Sequence, residues 1–130
     1  MSGVQNSTLK LICDHLTDCP HKSSVSKNQD YFRVMKDGVI KKENFIGTAY
    51  LPSAVKNKTP ENCETCAVSI NPTPADAQNL IQVIPAFRRG TIIKLEIKID
   101  HGRIHDNTTY HANWWHPQGF DPTTIARSHP

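Results

Sequence analysis

Cysteine spacing constrains the fold of this chain more than any other feature of the sequence. The stretch 13–21 contains two Cys-x-His pairs, formed by Cys13, His15, Cys19 and His21. Thiolate sulfur and imidazole nitrogen are the ligands that zinc prefers, and residues two apart in an extended segment project from the same side. The stretch therefore predicts a transition-metal site in a loop that follows a short first strand.

A second pair, Cys63 and Cys66, has the CxxC spacing that lets two sulfurs reach one ion about 2.3 Å away. Four ligands from nine adjacent residues would be crowded, so we expect the stretch 13–21 to fold against the CxxC motif around a structural zinc ion. The alternatives are buried thiols or a disulfide, either Cys13–Cys19 or Cys63–Cys66. Redox activity is disfavoured because a strand, rather than a helix, is predicted after the motif.

Composition limits the broad class of protein. The 130 residues are 37% hydrophobic, enough for one domain spanning 1–130. The net charge of +3 and the pI of about 8.7 are mild, and no basic stripe is present, so nucleic acid is only weakly supported and a protein partner is favoured. Neither an apolar run of membrane-spanning length nor a secretory signal is present, so we expect a soluble protein with reduced cysteines in the cytoplasm. Delivery by a specialised secretion system is compatible with this sequence as well, because such delivery needs no signal of this kind.

Hydrophobic periodicity predicts an α+β domain built on a mainly antiparallel sheet of about five or six strands. Strands are predicted at 8–13, 31–36, 39–42, 67–70, 91–100 and 108–115, of which the second and third form a hairpin about Asp37-Gly38, and the segment 45–51 either extends the returning strand or starts another. One helix, about 74–84, is predicted to begin after the cap Thr73 and to end before Pro85, with its apolar side on one face of the sheet. The tail 117–130 is predicted to be irregular.

A second cluster of functional side chains lies between residues 101 and 116. Its candidate catalytic residues are His101, Arg103, His105 and His111, which could supply an acid, a base and a cation for phosphodiester cleavage. Trp114 and Trp115 point to opposite sides of a strand, so one indole could form an interaction surface. The alternative interpretation is a hairpin with exposed histidines whose tryptophans cover the core.

These patterns favour a small zinc-stabilised binding or effector module whose working surface is rich in His and Trp. A hydrolase is the alternative, either a histidine-based nuclease or a cysteine hydrolase or peptidase that uses Cys66 with His101 or His111. A metal sensor or carrier that binds metal through its histidines is a further alternative. The sequence indicates no oligomeric state.

Overall fold

Alternating apolar side chains fold the chain into two antiparallel sheets of three strands each. In this computed structural model, residues 10–36, 38–45 and 63–129 are described. The first sheet has the order β1 (Gln29–Met35), β3 (Thr91–Ile97), β6 (Ala126–Ser128). The second has the order β2 (Val68–Ile70), β5 (Ala112–Trp115), β4 (Arg103–Asp106). Both sheets are antiparallel throughout.

The α+β class and the antiparallel pairing are confirmed, but the expectation of one sheet of five or six strands is wrong. The two sheets meet at a single bridge between β1 and the residue after β2. There, the Phe32 amide donates to the Asn71 carbonyl at 2.8 Å and the Asn71 amide donates back at 2.7 Å. The pairing extends no further, because β2 has only three residues before the chain turns into the helix.

The predicted 31–42 hairpin does not form. β1 pairs with β3 along seven residues, whereas 39–41 adopt no strand and Lys42–Phe45 form a 3-10 helix. Burial favours this pairing, since β1 is buried along its last five residues and the inward side chains of β3 are buried as well, whereas Val39 is exposed and Ile40 is only half-buried. Gly38, with φ of +74°, still turns the chain after β1, while Asp37 and the predicted strand at 46–51 lie outside the described residues.

The predicted helix is confirmed to within one residue as α2, Pro74–Val83. Its start follows from local chemistry: the Thr73 hydroxyl oxygen accepts a hydrogen bond from the Asp76 amide at 3.1 Å, and Pro74 occupies the first turn, where no backbone donor is needed. Ala77 packs on the β1 side chains Phe32 and Val34. A single helical turn, α1 (Cys63–Cys66), precedes β2.

Three apolar clusters hold these elements together. Both sheets share the largest cluster, which contains Tyr31, Met35, Phe45, Val68, Ile70, Ile93, Leu95, Ile97, Ile104, Ala112 and Trp114. A second lies under α2, and a third joins the N-terminal segment to α1 through Leu11, Cys13, Cys66, Ala67 and Trp115. The predicted inward row of β3 is confirmed at Ile93, Leu95 and Ile97, whereas Ile99 lies beyond the strand and is half exposed.

The chain ends differ from the predictions in opposite ways. The tail expected to be irregular contains a 3-10 helix, Pro122–Ile125, capped by Asp121, and then β6 on the edge of the first sheet. The strand expected at 8–13 is reduced, where the structure describes it, to one bridge between Leu11 and Pro117, followed by turns. Within the described ranges, no helix is long and apolar enough to cross a membrane.

Candidate functional site

The two cysteine-bearing segments lie against each other, and a disulfide between Cys19 and Cys63 joins them, with 5.5 Å between the Cα atoms. This disulfide links the two segments, whereas each of the two disulfides considered from the sequence would join cysteines of a single segment. Trp115 packs in the same cluster, and its indole N–H donates to the Cys63 carbonyl at 2.9 Å. The disulfide therefore fixes the N-terminal segment over one face of the second sheet.

The other two cysteines, Cys13 and Cys66, carry no disulfide and are buried. The Cys66 thiol donates to the Ile12 carbonyl at 3.1 Å. Burial raises the pKa of Cys13 to about 12, and burial likewise raises the pKa of Cys66. Both groups are therefore thiols at neutral pH, and since the thiolate is the nucleophile, this environment gives no support to a cysteine hydrolase that uses Cys66.

The six predicted zinc ligands do not fit a zinc site in this arrangement. Among the residues described, no three Cys, His, Asp or Glu side chains are placed to hold one ion. The sulfurs of Cys19 and Cys63 are bonded to each other, and the His21 ring stacks on His105 with 3.9 Å between ring centroids. His15 is exposed on the N-terminal segment. Zinc binding, and a metal sensor or carrier, thus stay predictions that the geometry does not support.

Each of the four predicted catalytic residues has its own contact partner in the part of the chain that the structure describes. His101 stacks on Phe120, and its Nδ1 accepts from the Lys98 amide at 2.9 Å. The Arg103 guanidinium is occupied by the hydroxyl and carbonyl oxygens of Ser24. His105 and His111 are diagonal neighbours on one face of the second sheet, where His105 stacks on His21 and His111 contacts β2. The histidine-based nuclease stays a prediction.

Both tryptophans are buried, so neither indole forms the predicted interaction surface. They do point to opposite faces of β5: Trp114 enters the core shared by the sheets, and Trp115 enters the cysteine cluster. Both are at most 1% exposed: the shared core encloses Trp114, and the disulfide-linked segment covers Trp115. The alternative interpretation, two tryptophans that cover the core, describes their positions.

A chain of two hydrogen bonds joins a serine, a histidine and an asparagine on the second sheet. The Ser69 hydroxyl lies 2.8 Å from His111 Nε2, and His111 Nδ1 lies 2.7 Å from Asn107 Oδ1. An amide oxygen only accepts hydrogen bonds, so Nδ1 carries the imidazole proton and Nε2 accepts from the hydroxyl. This is the tautomer in which a histidine can take a proton from serine.

Strand register places these three side chains together. Ser69 is opposite Asn113 in the pairing of β2 with β5, and His111 lies two residues before Asn113, so His111 is the diagonal neighbour of Ser69 on the same face. Asn107 directly follows β4 and His111 directly precedes β5, so the two residues flank the loop between these paired strands. The same loop is closed by the Thr108 amide, which donates to the His111 carbonyl at 3.2 Å.

The surroundings of His111 favour a neutral imidazole that can accept a proton. Burial lowers the pKa of His111, and the nearby negative charge of Glu64 opposes this shift. At neutral pH the imidazole is therefore unprotonated, while Glu64 would stabilise the cation formed when His111 takes a proton. Asn107 contacts the ring without adding charge, so the negative charge that acts on His111 comes from Glu64.

A cavity of about 250 Å³ opens beside this group, and both Ser69 and His111 line it. Arg33, only 2% exposed, lines it as well and donates from Nη1 to the Ser69 carbonyl at 2.5 Å. A second cleft of about 180 Å³ lies on the Asn107 side, where Asp18, Glu64 and His105 are among the lining residues. Ser69 and His111 thus line one space, and Asn107 lines the other.

Sequence reasoning selected His111 but missed both of its partners. The pattern of residues 67–70 predicts only a strand, although a polar residue between Val68 and Ile70 faces away from the core. Asn107, four residues before His111, was treated as part of a polar turn. The contact between Ser69 and His111 depends on which strands pair, and no local pattern records that pairing.

Comparisons of the chain with protein-family models, with curated proteins and with solved structures find no match.

Proposed function

We propose that this protein is a hydrolase of the acyl-transfer type, with Ser69 as nucleophile, His111 as general base and Asn107 as the residue that orients His111. The observation that carries the proposal is the continuous hydrogen-bond chain from the Ser69 hydroxyl to Asn107 Oδ1, in the correct tautomer and beside a cavity. The proposal develops the hydrolase alternative with a nucleophile that the sequence did not indicate.

The reaction would proceed through an acyl-enzyme. The Ser69 oxygen attacks the carbonyl carbon of an ester while its proton moves to His111 Nε2, and the protonated His111 then gives that proton to the departing alcohol. A water molecule, deprotonated by His111, next attacks the acyl-serine; His111 then returns the proton to the Ser69 oxygen as the ester bond to serine breaks and the carboxylic acid leaves. The overall balance is ester plus water to acid plus alcohol, and Ser69 is regenerated.

Charge in the site supports both halves of this scheme. Negative charge develops on the carbonyl oxygen during attack, and Arg33, whose guanidinium donates to the Ser69 and Asn44 carbonyls, lines the cavity. Positive charge develops on His111, where the Glu64 carboxylate acts in the opposite direction to burial. The buried position of Arg33 strengthens its electrostatic effect, because less water screens it.

Mapping of a covalent adduct tests the proposal directly. A serine-directed fluorophosphonate should attach to the peptide that contains Ser69, and p-nitrophenyl acetate hydrolysis should fall by about 100-fold or more in Ser69→Ala. Ser128→Ala is a matched control, because Ser128 is also an exposed strand serine but lies on β6. His111→Asn should lose both labelling and hydrolysis while keeping the circular dichroism spectrum of the wild type.

Two results would contradict the proposal. One is equal hydrolysis by the wild type and Ser69→Ala. The other is a fluorophosphonate adduct spread over several serines, with no preference for Ser69. Neither result tests the predicted zinc-stabilised binding module. In that prediction the N-terminal segment is held against α1 by zinc, whereas in the described residues the Cys19–Cys63 disulfide joins them.

A further inference from the structure

The cavity beside Ser69 is lined by polar residues on one side and by apolar residues on the other. Ser69 and His111 lie on one side, together with Arg33 and Asn71. The remaining wall consists of apolar side chains: Val34 from β1, Leu80 from α2, and Ile84 and Phe87 from the segment that follows α2. A group bonded to the Ser69 oxygen would therefore extend from a polar environment into an apolar one.

The apolar wall is part of the cluster that α2 forms with the first sheet. Val34 and Phe87 are buried, and Leu80 and Ile84 pack against that cluster while remaining partly exposed. An apolar ligand in the cavity would cover the remaining surface of Leu80 and Ile84, which favours binding in proportion to the area removed from water. A charged ligand would lose its hydration there without gaining a partner on this wall.

The size of the cavity limits the ligand. A volume of about 250 Å³ is below the range of roughly 300–1,000 Å³ that holds drug-sized molecules. It suits a short hydrocarbon chain, whereas a long fatty acyl chain would extend beyond it.

We propose that this cavity is the acyl site of the enzyme and that its substrates are esters of linear, uncharged carboxylic acids of about four to eight carbons. This inference rests on the proposed function, because Ser69 provides the attachment point for the acyl group. It goes further in assigning the substrate class and in giving Leu80 the role of a specificity-determining residue.

The test is the dependence of kcat/KM on acyl chain length with p-nitrophenyl acetate, butyrate, hexanoate, octanoate and laurate. We expect kcat/KM to rise by about fourfold for each added methylene while the chain fits, and to fall for laurate. Leu80→Trp should fill the cavity and move the optimum to acetate. Leu80→Ala should enlarge the cavity and move the optimum to octanoate or longer chains.

Val83→Trp is the matched control, because Val83 lies on the same helix but is 61% exposed and does not line the cavity. It should keep the wild-type profile. The acyl-site inference is wrong if the profile is flat while hydrolysis still depends on Ser69, or if both Leu80 variants keep the wild-type optimum; the proposed function survives either result. Absence of any Ser69-dependent hydrolysis overturns both proposals.

Discussion

Replacing both members of the Cys19–Cys63 disulfide by serine should destabilise the protein strongly. The bridge spans 44 residues of sequence, and closing a loop of that length removes about 13 cal/mol/K of entropy from the unfolded chain, or about 4 kcal/mol at 25 °C. Unfolding a chain of 130 residues changes the entropy by roughly 2.1 cal/mol/K per residue, so this loss corresponds to a fall in Tm of roughly 15 °C.

The assay is thermal unfolding followed by circular dichroism, with and without a thiol reductant. Reductant should lower the Tm of the wild type by roughly 15 °C and should leave the Tm of the Cys19→Ser/Cys63→Ser variant unchanged. Cys13→Ala/Cys66→Ala is the control, because it removes two buried thiols but no crosslink. Its own Tm should be lower than that of the wild type, and its response to reductant should be fully retained.

Thiol counting under denaturing conditions gives an independent check. We expect two reactive thiols per chain, and peptide mapping should assign them to Cys13 and Cys66. Four reactive thiols in the purified protein, a Cys63–Cys66 bridge, or a wild-type Tm that does not respond to reductant would refute the reasoning.

Three further predictions concern local features of the fold. Gly102→Ala should lower the free energy of unfolding in urea by more than about 2 kcal/mol, because φ is +102° and an added Cβ would overlap the backbone of β5. Gly119→Ala, also at positive φ but in open space, should lower it by only about 1 kcal/mol, and equal losses in the two variants would contradict this reasoning. Thr73→Ala should lower stability by about 1 kcal/mol through loss of the α2 cap, whereas Thr73→Ser should retain most of it. Burial lowers the pKa values of His111 and His116 below 6.5, so protonation of these residues favours the unfolded chain. The urea concentration at the midpoint of unfolding should therefore be highest above about pH 6.5 and should fall as the pH drops below that value. A midpoint that stays constant between about pH 7.5 and 5.5 would count against this prediction.

Local features of this fold were predictable from the sequence because they depend on neighbouring residues. Thr73, Pro74 and Pro85 specify both ends of α2 through capping and through the backbone limits of proline. The alternation in β3 likewise predicts which of its side chains face the core. In both cases the relevant interactions lie within one turn or one strand.

Pairing between distant segments was not predictable in the same way. The Asp37-Gly38 turn is a favourable local hairpin signal, yet β1 pairs with β3, because burial of both faces of β1 outweighs the preference of one turn. The Cys19–Cys63 bridge and the contact between Ser69 and His111 belong to the same category. Each requires knowing which elements lie side by side, and a single sequence does not contain that information locally.

The candidate site is also a consequence of alignment between two short strands. β2 offers only three residues to β5, and side chains alternate between faces along it. A shift of the pairing by one residue would turn Ser69 toward the core and present Val68 or Ile70 to the imidazole instead. The proposed chemistry is therefore available in one of the possible alignments of β2, and the same alignment buries the two apolar neighbours of the serine. Folding to a closed core and bringing Ser69 against His111 are, in this molecule, one event.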